Sequence, residues 1–369
     1  MTDYLLEIGS EELPYSFIPS AMEQLKNIFS CFLTEARISY SEVKTYGTPR
    51  RLSVIVKNIG LSQPDIVKTV KGPPAKISYT DNGEFTQAAL GFAKKNNIDP
   101  AKFYKDSVAG VEYLFADIEE KGKNTGEVLE KVLPELILKL QGSHFMRWGD
   151  YEVKFSRPIR WIVSFLGDEE VKIRIADVES SRYSRGHRFS QDSKVLINSV
   201  DSYFDDLRKA NVIVDQAIRE KLIINSAQEA AKSINGTVKI NPELLKEVTY
   251  LVEYPTPVIG NFEKKYLVIP KEVIITVMAS HQRYFPVFDA KGNLLNSFIT
   301  ISNAVKPSAL ENITRGNERV IRARLDDAIF FYTEDTDRRL ESRVEDLKGV
   351  TFQKGLGTLF EKMNRIPRP

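Results

Sequence analysis

An α+β fold divided among several domains is predicted for this 369-residue chain by three observations. At about 100–200 residues per domain, the length implies two to four units. Short β-branched runs alternate with amphipathic stripes as far as Gln191. Beyond Gln191 the pattern turns helical, interrupted by one hairpin signal at Gly292. These shifts divide the chain into 1–60, a first α+β unit; 61–191, a second; 192–305, helices and the hairpin; and 306–369, the start of a helical region.

Tyr4–Ile8 reads as a strand. Ile18, Ala21, Met22, Leu25, Ile28, Phe29, Phe32, Leu33 and Ala36 then recur at three- and four-residue spacing, one apolar face of a helix. Pro19 suits its first turn, and Cys31, beside the stripe, reads as a packing group. Arg51–Lys57 (RLSVIVK) is β-branched and strand-like. Asn82-Gly83 marks a tight turn, followed by a short helix with Ala88, Ala89, Phe92 and Ala93, and by a strand over Tyr113–Ile118. Val128, Leu129, Val132, Leu133, Leu136, Ile137 and Leu140 line a second amphipathic helix. Asn124 and Glu127 have the form of a capping box for it, Gly142 suits its stop, and Pro134 predicts a kink. Ile159–Leu166 and Val171–Ala176 read as strands around Gly167-Asp168.

One later helix carries Val200, Tyr203, Phe204 and Leu207, and another runs from Ala217 to Ile234 and stops at Asn235-Gly236. Asn241-Pro242 has the cap-plus-proline form of a further helix start. Tyr284–Asp289 and Leu294–Ser302 form the hairpin, with Gly292 left-handed. The preceding helix, Val273–Met278, is expected to bury Ile274, Ile275 and Met278 beneath it. From Pro307 onward a helical pattern is expected, with Arg315, Arg319 and Arg322 on one face and Glu318–Arg322 as an i,i+4 pair.

Composition narrows the function. The chain is 42% hydrophobic and 28% charged with net charge +2, the profile of a folded protein rather than a disordered one. No apolar run approaches the roughly 18 residues of a membrane span. The acidic start MTDYLLEIGSEELP is unlike a signal peptide, so a cytoplasmic location is expected. One cysteine and three histidines argue against a disulfide and against a Cys- or His-rich metal centre.

No GxxxxGK[ST], strand-linked GxGxxG, HExxH or Gly-x-Ser-x-Gly string occurs. The paired carboxylates Glu11 and Glu12 in GSEELP read as a solvated connection. Arginine beside proline and aromatics recurs in TPRRL, FMRWG, SRPIRW and SRGHRF. Guanidinium groups suit phosphate clamping and base stacking, or carboxylate pairing at domain junctions. Trp148 and Trp161 read as core residues. His281 in ASHQRYF reads as structural, since the spacing offers it no carboxylate partner.

Longer strings carry more. LLEIGSEELP, TYGTPRRL, KGPPA, FMRWGDYEVKFSRPIRWIVSFLG and SRGHRF are similar in order and spacing to the β subunit of bacterial glycyl-tRNA synthetase. So are LVEYPTPVIGNFEKKYLVIPKEVIITVMASHQRYFPVFD, FITISN, GNERVIRARLDDAIFFYTED and GVTFQKGLGTLFEKM. The resemblance runs from Tyr4 to Ile366. It implies an α2β2 assembly with a separate α subunit that uses ATP and Mg to activate and transfer glycine. This chain would bind tRNA(Gly) and hold no cofactor or metal of its own. Leu251–Asn303 also resembles the B3/B4 module of the phenylalanyl-tRNA synthetase β subunit. Hydrolytic editing is not implied, because a size sieve has nothing smaller than glycine to exclude. The family continues into a helical HD-type domain and an anticodon-binding domain, so anticodon recognition is expected to lie outside these residues. The Pro367–Pro369 ending departs from the family pattern.

Two rival readings accompany this one: a stand-alone hydrolase deacylating tRNA through Leu251–Asn303, and a non-catalytic assembly scaffold. Lys44–Lys76 carries Lys44, Arg50, Arg51, Lys57, Lys68, Lys71 and Lys76 against Asp65 alone, and Arg182–Arg188 has three arginines and no acid. These two stretches are the expected RNA-facing surfaces. Arg50, Arg51, Lys68, Lys71, Arg182, Arg185 and Arg188 are the candidate contacts, with burial of Arg50 or Arg51 in a domain junction as the competing outcome.

Overall fold

The computed structural model describes residues 1–80, 82–190 and 194–366, and the readings that fall on Asp81, Gln191 and Pro367–Pro369 lie outside them. The chain divides into two compact units, residues 1–215 and 216–369. Helix and strand are mixed in both.

The first unit is built on β1 (Thr2–Ser10), which is buried from Tyr4 onward. α1 (Phe17–Glu35) follows, then β2 (Glu42–Thr48) and β3 (Arg51–Ile59). An inserted three-stranded antiparallel sheet contains β4 (Ile66–Pro74), β5 (Tyr104–Val108) and β6 (Val111–Glu120). The short turn α2 (Ala75–Ser78) and α3 (Gln87–Asn96) lie within the insertion. α4 (Thr125–Leu138), capped by Asn124 at the Gly126 N–H, runs through Pro134 and stops before Gly142.

β7 (Ile159–Leu166), β8 (Glu169–Glu170), β9 (Arg174–Ile175) and β10 (Val178–Ser181) complete the main sheet. Its order is β2-β3-β1-β7-β10-β9, with β8 folding back on β7. The strand expected over Val171–Ala176 is broken. The Ser180 hydroxyl takes the Ile173 N–H and donates to the Val171 carbonyl, replacing ladder bonds with side-chain bonds. β11 (Tyr183–Arg185) pairs with β12 (Lys194–Leu196), and α5 (Tyr203–Lys209) follows; Val200 precedes that helix rather than lying in it.

Alternation along the strands assigns the two faces of this sheet. Tyr4, Leu6 and Ile8 pair with Val56, Val54 and Leu52 on the face that receives α1, where Tyr4 stacks on Phe29. Ile28 and Phe32 mark the half-buried edge of the α1 stripe, and Cys31 is exposed with its thiol against Glu35. Leu5, Ile55, Trp161, Val163 and Phe165 face the other way, against Tyr203, Leu207, Val212 and Val214.

The second unit holds α6 (Gln216–Ser233), β13 (Thr237–Val238), α7 (Pro242–Thr249) and β14 (Thr256–Asn261). The Asn241 side chain caps α7 by accepting the Glu243 and Leu244 N–H groups, as its sequence form predicts. α8 (Lys271–Thr276) runs into a π-helical turn, Val277–His281, and then the hairpin of β15 (Phe285–Phe288) and β16 (Leu294–Ser302), with Gly292 at φ 83°. The four-stranded sheet has the order β13-β15-β16-β14. Ile274 and Met278 are buried with Phe288, Leu294 and Phe298, whereas Ile275 is only half-buried at the margin of this cluster.

α9 (Leu310–Thr336) docks through Ile321 and Leu325. Its expected Glu318–Arg322 pair does not form: Glu318 accepts the Asn261 N–H, and Arg322 lies 3.5 Å from Glu263. The helical pattern expected after Pro307 is interrupted by a hairpin of β17 (Thr351–Gln353) and β18 (Gly357–Thr358), before α10 (Leu359–Arg365). Gly355 and Gly357, both at positive φ, permit that turn.

Candidate nucleic-acid interface

Four of the motifs read from the sequence converge on one face of the main sheet. Gly9 sits between Arg51 on β3 and Trp161 on β7, while Glu7 pairs with Ser53 and Val163. The period of two therefore puts Glu7, Gly9, Arg51, Ser53 and Trp161 on the same side. A Cβ on Gly9 would lie 1.8 Å from the Trp161 ring, so the indole can lie flat over β1 only because that residue is glycine.

Glu7 is the hub. It is fully buried, and its carboxylate accepts from Trp161 Nε1, the Ser184 hydroxyl and the Tyr203 hydroxyl, each at 2.5 Å. Ser53 Oγ stands 2.6 Å from the Tyr203 oxygen. Arg51, also fully buried, lies 3.5 Å from Glu7 and donates to the Ser184 hydroxyl and the Arg185 carbonyl. Burial and the adjacent Glu7 charge push the Tyr203 phenol well above its ordinary range, which keeps its proton in place. The guanidinium groups of Arg50, Arg51 and Arg185 lie 5.3–5.5 Å from the Trp161 ring.

Arg50 and Arg51 are thus interior groups, correcting the expectation that they face RNA. Arg51, enclosed between the Glu7 carboxylate and the Trp161 indole, is not presented to a phosphate, and Arg50 is buried over the same ring. Arg185 is half-buried against the same ring. Arg182 donates to the Asn198 and Asp168 carbonyls and lies over Phe165. Arg188 is exposed and bonds Glu12 at 2.6 Å, a pairing that raises its already high pKa. Lys68 and Lys71 are exposed, but β4 turns them to opposite faces: Lys68 pairs across to Ile118 and Lys71 to Phe115. Lys71 sits 3.4 Å over the Tyr113 ring. Lys44–Lys76 is therefore no single basic surface, since Lys57 also belongs to Asp3 and Lys44 to Glu42.

Trp161 is a core residue as expected; Trp148 is half-buried instead. His281 is exposed at the end of the π-helical turn. Sequence reasoning missed the role of Glu11, which lies 3.4 Å from Arg160. Among the described residues, no group of three His, Cys, Asp or Glu side chains is placed to share a metal ion, and no helix is long and apolar enough to cross a membrane.

The sheet, its buried polar hub and its arginine rim describe a class of protein with charged surface segments held on a rigid scaffold. Comparison with known proteins narrows that class. The family described as "Glycyl-tRNA synthetase beta subunit" matches residues 4–368, and the chain belongs to it. It is 44% identical, over its full length, to the "Glycine--tRNA ligase beta subunit" of Clostridioides difficile (strain 630), covering 53% of that protein. It is 44% identical to the protein of that name from Syntrophus aciditrophicus (strain SB), over 99% of this chain and 53% of the relative. For the protein of that name from Bacillus subtilis (strain 168) the identity is 41%, with the same coverage. The chain spans about half the length of the curated relatives it matches.

Proposed function

We propose that this chain serves glycyl-tRNA synthesis by binding tRNA(Gly) and positioning it for a separate α subunit in an α2β2 assembly. ATP and Mg are used in that partner, where glycine is activated and transferred. The observation that carries this reading is the family match across residues 4–368. Arg182, Arg185 and Arg188, with Lys68 and Lys71 on the inserted sheet, are the proposed phosphate contacts. Arg50 and Arg51 support them from beneath as structural groups. Contacts of this kind position RNA and carry little sequence information.

The test is tRNA affinity at several salt concentrations, together with co-purification and glycylation using a family α subunit. Phosphate contacts should give a log–log salt slope of about 0.7–0.9 per contact, and R185A/R188A should flatten it for different tRNAs alike. Glycine-dependent ATP–pyrophosphate exchange by this chain alone would overturn the assignment of chemistry to the α subunit. An unchanged slope in the double variant, with a lowered melting temperature, would make these arginines structural.

A further inference from the structure

GSEELP places two consecutive carboxylates on a backbone that is held firmly. The Ser10 N–H donates to the Arg50 carbonyl at 2.8 Å, Glu11 N–H to Pro158 at 3.0 Å, and Leu13 N–H to Pro49 at 2.6 Å. From this fixed segment Glu11 turns to Arg160 and Glu12 to Arg188, two arginines from separate motifs. All four side chains are 41–57% exposed. Exposed pairs of this kind contribute little to folding, so stability does not explain why both arginines are matched. A carboxylate and a phosphate offer a guanidinium the same oxygen geometry and the same sign of charge.

We propose that Glu11 and Glu12 are resident stand-ins for RNA phosphates, occupying Arg160 and Arg188 until a bound RNA backbone displaces them. The inference rests on the reading that this rim faces RNA. Its consequence is selectivity: an RNA that reaches only one arginine displaces one carboxylate and gains little, while one that engages both gains twice. The displaced carboxylates regain solvent cations, which offsets part of the counterion release that accompanies phosphate binding.

The experiment measures tRNA and unstructured-RNA affinity against salt for wild type, E11Q/E12Q and E23Q. Glu23 is exposed on α1 and controls for loss of charge alone. E11Q/E12Q should tighten binding about two- to fivefold per pair, most for unstructured RNA. Its salt slope should steepen by about 0.7–0.9 per contact. In an R188A background, E12Q should have no effect. Equal tightening by E23Q, or an E12Q effect that survives R188A, would reduce the result to bulk charge and overturn the proposal. Unchanged binding in E11Q/E12Q, when wild type binds with a normal salt slope, would overturn this inference alone. Absence of salt-dependent binding by every protein would remove the RNA-facing reading and this inference with it.

Discussion

Two interior regions, one in each unit, are sealed in different ways. In the first unit, the face of the main sheet turned toward α5 encloses a carboxylate, a guanidinium, two hydroxyls and a phenol around Glu7. In the second, the space beneath the β15–β16 hairpin is filled by Ile274, Met278, Phe288, Leu294 and Phe298. Polar tips there lead outward: Tyr284 stacks on Phe298 at 4.4 Å and donates to Asn317, and Tyr266 donates to Asp326. Burial alone pushes the Tyr284 phenol up to about 12. A polar interior specifies direction, because each hydrogen bond has one geometry; an apolar interior specifies volume. The surface arginines of the first unit stand on the interior that specifies direction.

The contrast is sharpest at Glu7. E7A should destabilise the first unit by about 3–5 kcal/mol, since it removes the carboxylate that faces buried Arg51 and accepts from three buried donors. Chemical denaturation checks this, and a loss below about 1 kcal/mol would show that the hub is not a fixed network. Met278 tests the other interior. M278A should cost about 2–5 kcal/mol through lost contacts and a cavity, while M278L should cost less than about 1.5 kcal/mol. Equal losses for the two variants would mean that the second interior also depends on detailed geometry. The smallest effect is expected at Asp206. Partial burial pushes its carboxyl up, but the Ser202 hydroxyl, the Asn198 amides and Lys209 outweigh burial and hold the pKa below its usual value. The folded form therefore favours the ionised group. That stability is present above the ordinary aspartate pKa and is lost as pH falls through the lowered one. D206N should flatten the acid limb of a stability–pH curve, and an unchanged limb would refute the assignment.

Much of this fold was legible from local pattern. The α1 stripe, the span of β7, the Asn241 cap and the left-handed Gly292 follow from residues near one another in the chain. The candidate site was legible only in pieces. The arginine motifs stood out, but the three hydrogen-bond donors to Glu7 lie 154, 177 and 196 residues away, beyond any periodicity. Composition therefore made Arg50 and Arg51 look like surface charges, when pairing with Glu7 and Ser184 holds Arg51 inside and the distant Trp161 ring covers Arg50. The broken strand at Val171–Ile173 failed for a similar reason, since the competing donor and acceptor, Ser180, belongs to a later strand.

The alternation along β1 has one more effect, on which pairings the sheet can accept. β1 lies between β3 and β7, and both of its faces are covered. A slip of one residue against its neighbours would turn Glu7 toward Phe29 and the apolar side of α1. It would also set a side chain other than glycine beneath the indole of Trp161. Apolar residues alone would tolerate such a slip, because Leu5 and Leu6 are interchangeable in hydrophobicity. One buried acid, Glu7, and one glycine, Gly9, two positions apart, act as a key that only one register admits.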